Sequence, residues 1–285
     1  MNNGLISVIM GIYNCEATLR SAIDSIIGQT YDNWELILCD DASTDQTYCI
    51  AHEYTEMYPD KIILIRNEAN ENLAYSLNHC LVYSTGEYIA RMDGDDISLP
   101  ERFQIQKEFL DTHLEYDLVG TSMISFDGDN EIGIKAPPPH RPDKYYLRRN
   151  APFAHATIMC RRIVYDRLNG YFVSKHTRRC EDIDFWFRFF EHGFNGYNLY
   201  NPLYKVRENY TAFKRRRFVY GIDVFRICFR GFKKLKYPLR YYICLVKPLI
   251  ASSVPSFIML KYHRMKDEQH TMKSYDRSNI RSSEL

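Results

Sequence analysis

The sequence lacks any long apolar run free of charge. A membrane-spanning helix takes about 20 such residues, and the longest candidate here, Pro248 to Leu260, is broken by Pro255. No spanning helix is expected. The N-terminus shows no basic region followed by an apolar core, so no signal peptide is expected, and strand-like sequence begins at Leu5. A dominant charge sign is missing too. The 37 Lys and Arg face 36 Asp and Glu, for a net charge of +1, so overall charge singles out no partner. None of the eight cysteines forms a Cys-x-x-Cys; they are scattered at positions 15, 39, 49, 80, 160, 180, 228 and 244. Several lie in apolar runs, which fits buried free thiols in a reducing compartment better than a disulfide framework. What remains is an ordinary soluble composition, 45% hydrophobic and 26% charged, over 285 residues. That length is enough for one large domain or two small ones.

Through the first half, strand-like and helix-like stretches alternate. Leu5 to Met10 is a continuous apolar run, as expected of a buried parallel strand. Leu19, Ala22, Ile23, Ile26 and Ile27 then fall on one helical face. Trp34 to Cys39 is a second apolar run, followed by a helix with Ile50, Tyr54, Met57 and Tyr58 on one side. Lys61 to Ile65, a helix through Leu73, Leu77, Cys80 and Leu81, and Tyr88 to Met92 complete the series. The alternation predicts the α/β class, a doubly wound, mostly parallel sheet with right-handed crossovers. Ser98 with Glu101 reads as a capping box for a helix through Phe103, Gln106, Phe109 and Leu110, with Pro100 in its first turn. Leu118 to Phe126 predicts another strand, and Asp127-Gly128-Asp129-Asn130 a hairpin turn. The regular alternation stops at Ala136, before the stiff Pro137-Pro138-Pro139, which marks a soft boundary.

The chemistry gathers where strands end. Tyr88 to Met92 stops in Asp93-Gly94-Asp95-Asp96, three acids in four positions. In open α/β sheets, ligands bind at the carboxyl ends of the strands. Acids so close repel one another unless a cation joins them, and Mg2+ typically binds through carboxylates plus substrate phosphates. A solvated acidic turn is the plainer alternative, and the flanking residues favour the metal. Gly94 is expected to supply a tight turn between the acids. The second strand likewise ends in Asp40-Asp41-Ala42-Ser43-Thr44-Asp45, a loop rich in turn and capping residues. His155 stands in a loop entering a strand. Glu181 and Asp182 lead an aromatic helix containing Phe185, Trp186, Phe189 and Phe190; plain helix capping also accounts for acids there. From Lys205 to Lys247 the chain turns basic, opposed only by Glu208 and Asp223, and aromatics interleave. That texture fits a membrane surface, a nucleic acid, or a solvated helical face. From about Met265 the chain is polar and reads as a disordered tail.

In register, these residues resemble the glycosyltransferase family 2 domain, with the GT-A fold. The resemblance runs from about Ser7 to Arg207. It is carried by Val8-Ile9-Met10-Gly11-Ile12-Tyr13-Asn14, Ser25-Ile26-Ile27-Gly28-Gln29-Thr30-Tyr31, Asp40 to Asp45, Asp93 to Asp96, and Glu181-Asp182. Each motif is weak alone; together at these spacings they are strong. The resemblance implies inverting, metal-dependent transfer of a sugar from a nucleoside diphosphate, a UDP-sugar, to a hydroxyl of a glycan or lipid-linked glycan. Tyr13 then lays its ring against the base, and Asp41 accepts a hydrogen bond from a uracil N–H. Asp93 faces the ribose and the metal, Asp95 ligates Mn2+ or Mg2+, and Asp96 stands behind them or ligates weakly. Asp182 is the base that takes the acceptor's proton, with Asp184 second in line. Glu181 orients the acceptor or Asp182, His155 lies near the acceptor, and Arg91 shares strand parity with Asp93. Two positions depart from the family pattern. Gly11 stands near a place where Pro is frequent, and Arg207 stands about where many members have a His. An arginine can grip a diphosphate but cannot ligate a metal, so no histidine ligand is assigned.

The expected domains are 1–207 for the glycosyltransferase unit, with 1–126 as its nucleotide-sugar half and 127–207 as its acceptor half. A basic aromatic helical extension over 208–264 and the tail 265–285 follow. Related enzymes often build surface polysaccharides on lipid-linked intermediates at the inner face of a membrane. The extension is therefore assigned to an anionic membrane surface and not to nucleic acid, and a cytoplasmic, peripheral location is expected. Two other readings share these features. A sugar nucleotidyltransferase usually opens with a Gly-rich basic loop after the first strand, and Gly11-Ile12-Tyr13-Asn14-Cys15-Glu16 has no basic residue. A non-catalytic nucleotide-sugar binding protein is opposed only by the retention of every expected acid.

Overall fold

A computed structural model describes residues 4–128, 130–135, 138–208 and 218–253. The tail from Met265, Lys214 to Arg217 of the basic stretch, and Pro255 lie outside the described residues. In chain order the first elements are β1 (Ile6–Ile12), α1 (Leu19–Ile27), β2 (Trp34–Asp40), α2 (Thr47–Met57), β3 (Ile62–Arg66), α3 (Leu73–Tyr83) and β4 (Tyr88–Arg91). Next come β5 (Ile97–Ser98), α4 (Arg102–Thr112), β6 (Leu118–Asp127), β7 (Asn130–Lys135), β8 (Met159–Arg161), α5 (Arg162–Leu168), α6 (Glu181–Glu191) and β9 (Gly196–Arg207). Beyond the sheet lie α7 (Phe218–Lys234), a 3-10 segment Leu239–Leu245, and α8 (Val246–Ser253).

The expected α/β architecture is present. Strands run in the order β3-β2-β1-β4-β8-β6-β9-β5, with β7 paired on β6. The first four are parallel, as their apolar runs predict. β8 then runs antiparallel to both β4 and β6, and β6 is parallel to β9. The sheet thus continues across residue 126, and the expected division between halves falls inside the β6–β7 hairpin.

Alternation along the strands creates two cores. Ile6, Val8, Met10 and Ile12 of β1 face the layer of α1, α2 and α4. Ile9 faces the opposite layer, built on α3, α5, α6 and α7. Gly11 belongs to that second face, and a Cβ there would sit 3.0 Å from Leu73 Cδ1 and 3.3 Å from Ser76 Cβ. Gly11 is small so that α3 can lie close on the sheet. Phe187 of α6 lies against Gly231 of α7, where a Cβ would come within 2.3 Å of the ring. Ile227, Phe232, Leu235, Tyr237 and Leu245 are buried in the same core as Phe185 and Trp186. The basic segment is therefore half core and half surface.

One local expectation is corrected. Ser98 caps no helix; it lies in β5 and pairs with Tyr204 of β9, while α4 starts at Arg102 without a capping side chain from Glu101. Gln29 takes over that role, its Oε1 accepting the Phe103 N–H at 3.1 Å while its Nε2 donates to Ser98 Oγ at 3.1 Å and the Leu99 carbonyl at 2.9 Å. Ser25 Oγ accepts the Ser98 N–H, and the Thr30 N–H donates to the Pro100 carbonyl. The Ser25–Tyr31 motif is thus a strut behind the acidic loop. Gly94 does lie in the expected turn between the acids, with the Asp96 N–H facing the Asp93 carbonyl at 3.4 Å, and it does so without positive φ. It is small because a Cβ would meet Cys15 Sγ at 3.1 Å and Ile12 Cγ2 at 3.2 Å, so the acidic loop lies directly on the β1 loop.

Candidate active site

The loops after β1 and β2 are sewn together. The Asn14 N–H donates to Ser43 Oγ at 3.1 Å, and Asn14 Oδ1 accepts the Thr44 N–H at 2.9 Å. The Cys15 N–H donates to Thr47 Oγ1, and Glu16 accepts the Gln46 N–H. Asn14 and Ala42 hold positive φ at 47° and 59°, unusual for non-glycine residues and tolerated because these contacts fix both loops. Most of the Asp40–Asp45 motif is spent on this stitching. Tyr13 is left with its ring half exposed beside it. Asp41 is buried, and its carboxylate accepts Asn67 Nδ2 at 2.8 Å and the N–H groups of Glu71 and Asn72 at 2.9 Å each. An ionised carboxylate offers about four lone-pair sites, so Asp41 keeps room for one further donor. Asn67 is itself held by His79 Nδ1 at 3.0 Å.

At the end of β4, Arg91 is almost wholly buried and pairs with Asp93 at 2.7 Å. Burial works against its charge, and the Asp93 carboxylate outweighs that, holding the guanidinium well above its ordinary pKa. Its Nε has no hydrogen-bond partner among the described residues. Asp95 is pushed up first by burial and then by the negative charge of Asp93, with Arg207 and Arg91 opposing. Asp96 is pushed well up by burial and by both neighbouring acids. Its Oδ1 accepts the Arg207 N–H at 2.8 Å, and the Tyr204 hydroxyl also bonds to it. Tyr204 in turn accepts the Asp93 N–H at 3.2 Å. Asp96 therefore points inward and fixes the loop. Arg207 lies over Phe126 at 4.4 Å, and its Nε donates to the Asp95 carbonyl at 2.9 Å. A cation does stand beside the acids where a histidine was absent from the sequence.

Whether these residues suit a divalent ion is decided by charge. Burial and the nearby Asp93 charge raise the proton affinity of Asp95 and Asp96, so added positive charge would favour their ionised forms. No group of three His, Cys, Asp or Glu side chains among the described residues forms a metal cage. Two carboxylates with the remaining positions open is the donor set an ion shared with substrate phosphates takes, so the residues fit.

Helix α6 begins with Glu181 and Asp182. Burial and then the Asp182 charge push Glu181 up to about 7. Asp182 is also raised by burial, while the Ile183 N–H at 2.8 Å and Arg91 favour its ionised form. Asp184, second in line as base, is excluded from that role by its partners. It is 2% exposed and bound by Arg188 at 2.7 Å and by Arg230. His155 bonds the Tyr171 hydroxyl at 2.9 Å among Phe185 and Trp186. Burial drives its pKa well down, so it is a neutral imidazole. A cleft of about 370 Å3 separates Glu71 and Asn72 from Lys175, Arg178 and Glu181. Sequence reasoning missed Tyr204, Asn67, Lys175 and Arg178. Only Arg178 had a signal, as one of two adjacent arginines before the α6 acids.

Comparison with known proteins agrees. Residues 7–168 match Glycosyl transferase family 2. The protein EpsE of Bacillus subtilis (strain 168) is 51% identical over 269 residues, covering 93% of this chain and 96% of EpsE. The UDP-Glc:alpha-D-GlcNAc-diphosphoundecaprenol beta-1,3-glucosyltransferase WfaP of Escherichia coli is 29% identical, covering 71% of this chain and 77% of WfaP. S. aureus TarS 1–349 in complex with UDP superposes with a TM-score of 0.60 at 19% identity, over 92% of this chain and 87% of that one. The mannosyltransferase PcManGT of Pyrobaculum calidifontis, with GDP-Man and Mn2+, gives 0.58 at 18%, over 95% and 82%. These two share the fold. The chain belongs to glycosyltransferase family 2 and is a glycosyltransferase of the GT-A fold.

Proposed function

We propose that the protein transfers a sugar, with inversion, from a UDP-sugar to a hydroxyl of a lipid-linked glycan during surface-polysaccharide synthesis. One observation carries this reading. Arg91, buried at the end of β4, is ion-paired with Asp93 at 2.7 Å, and its charge also favours the ionised forms of Asp95, Glu181 and Asp182, which supports reading these carboxylates as one site. Tyr13 stacks on the base and Asp41 accepts the uracil N–H with its remaining lone pair. Asp93 and Asp95 would hold Mn2+ or Mg2+, which when bound neutralises charge growing on the departing diphosphate. Arg207, tied to the same loop, adds a cation there. The acceptor oxygen bonds to the anomeric carbon while the bond from that carbon to phosphate breaks. Asp182 takes the hydroxyl proton, and the electron pair leaves with UDP. Burial raises both Glu181, to about 7, and Asp182, while the Ile183 N–H and Arg91 favour the ionised form of Asp182, the form a base needs. Glu181, protonated at pH below about 7, donates to the acceptor or to Asp182.

The names of relatives support donor and acceptor class. WfaP pairs UDP-Glc with a diphosphoundecaprenol-linked sugar, and TarS binds UDP and UDP-GlcNAc. No described helix is long and apolar enough to cross a membrane. The reading includes a cytoplasmic protein held peripherally at the inner face, supported by the cations of the C-terminal segment. The test is a donor screen with and without Mn2+. UDP release without pyrophosphate, enhanced by a lipid-linked acceptor, is expected; pyrophosphate release, or no turnover of any UDP-sugar, would end the proposal.

A further inference from the structure

The end of the described chain presents an apolar stripe that the enzyme site does not use. Leu239, Ile243, Val246 and Ile250 are 85%, 75%, 43% and 60% exposed. Ile243, Val246 and Ile250 are spaced three and four residues apart from the 3-10 segment into α8, about one per turn of each, and Leu239 stands exposed at the start of the same segment. The opposite side of this segment is anchored, with Leu245 buried and Tyr241 and Tyr242 packed on the core. The stripe therefore cannot turn inward. From Val224 to Ser253 the sequence has seven cations and no acid. Arg226, Arg230 and Lys234 are paired with acids, whereas Lys233, Lys236, Arg240 and Lys247 form no ion pair among the described residues.

We propose that this stripe is the site at which the protein inserts shallowly into an anionic lipid bilayer, with Lys236, Arg240 and Lys247 meeting the headgroups. The proposal deepens the peripheral placement given above and rests on it, but not on the sugar chemistry. Charge selects the occupant. A second copy would set cation against cation, with no acid on either side between Val224 and Ser253. Nucleic acid would match the charge but gains little from Leu, Ile and Val, which offer no ring for a base to stack on. An anionic bilayer supplies both halves at once: phosphates for the cations and an acyl boundary for the stripe.

The test uses the full chain. Its only tryptophans, Trp34 and Trp186, are buried, so Ile243→Trp adds a reporter readable as a difference from the parent. The introduced indole should emit at long wavelength in buffer. With vesicles containing phosphatidylglycerol it should shift to shorter wavelength and be quenched by brominated acyl chains, but not with phosphatidylcholine alone. The triple variant Leu239→Asn, Ile243→Asn, Ile250→Asn should lose vesicle co-sedimentation about tenfold or more while keeping UDP release in vesicle-free buffer. Short-wavelength emission without lipid would mean that the stripe is covered by the rest of the chain or by a second copy, and would overturn the proposal. So would vesicle binding by the triple variant equal to the parent's, which leaves the peripheral placement standing. Failure of the parent itself to bind any anionic vesicle removes both. Neither result touches the glycosyltransferase assignment, which is read from donor turnover.

Discussion

At the scale of single residues, the acids of α6 make the sharpest predictions. Asp182→Asn keeps the shape of the site and removes the base. Donor binding should survive in a thermal-shift titration with UDP and Mn2+, while turnover falls by about 10^2 to 10^4. Near-normal turnover would reassign the base to Glu181, since Asp184 is bound to two arginines. Glu181 predicts a stability effect whose sign is fixed. Its proton is held in the folded protein up to about pH 7, against an ordinary value of 4.5. Between those pH values the folded state binds more protons than the unfolded one, so stability declines as pH rises. Glu181→Gln removes that decline. In urea unfolding with EDTA present it should be near neutral at about pH 4.5 and stabilising by up to about 3 kcal/mol at pH 8. The pairing of Asp184 with Arg188 was legible as an i, i+4 spacing. That with Arg230 was not, because it comes from an element 46 residues away.

At the scale of elements, the fold was legible where burial imposes a period and opaque where one residue serves a distant one. The β1 to β4 alternation follows from apolar runs and helical faces, and the structure has it. The role of Gln29 had no local signature. Its amide sits at the end of one helix and satisfies the start of another more than 70 residues on. Ser98-Leu99-Pro100-Glu101 mimicked a capping box because local chemistry cannot see that Ser98 belongs to an edge strand paired with β9. Similarly, the acids at the end of β4 were readable, but not that Tyr204 of β9 holds Asp93 and Asp96 in place. Gln29→Ala tests the strut. It leaves the buried Phe103 N–H without its acceptor, and each such orphaned group costs about 1–3 kcal/mol. Denaturation should show at least that loss. The Kd for UDP with Mn2+ should also weaken, since the loop carrying Asp93 and Asp95 is braced from behind by the same side chain.

At the scale of the whole molecule, the decisive feature is that the catalytic fold does not end where its family motifs end. The resemblance ends at about Arg207, and a boundary there looked natural because the composition turns basic. Yet Ile227, Phe232, Leu235, Tyr237 and Leu245 are buried on the α6 side of the sheet. Fully burying each such side chain contributes about 1.5–3 kcal/mol, so this segment contributes on the order of 10 kcal/mol. Net folding stability is typically about 5–15 kcal/mol. Removing the segment would spend most of it and would also uncover Phe187 and free Arg230 from the buried Asp184. A chain ending at Glu208 should therefore aggregate, or melt far below the parent, and lose donor turnover along with any membrane binding. The full chain should unfold in a single transition by calorimetry, because both cores are built on the two faces of one sheet and leave no place to divide. A truncated chain that melted like the parent and still released UDP would show that α7 rides on the enzyme instead of completing it. The Asn triple variant of the stripe should melt within a few degrees of the parent, since exposed positions rarely change stability by more than about 0.5 kcal/mol. The contrast separates the two faces of one segment, the inner holding the fold together and the outer left for a partner.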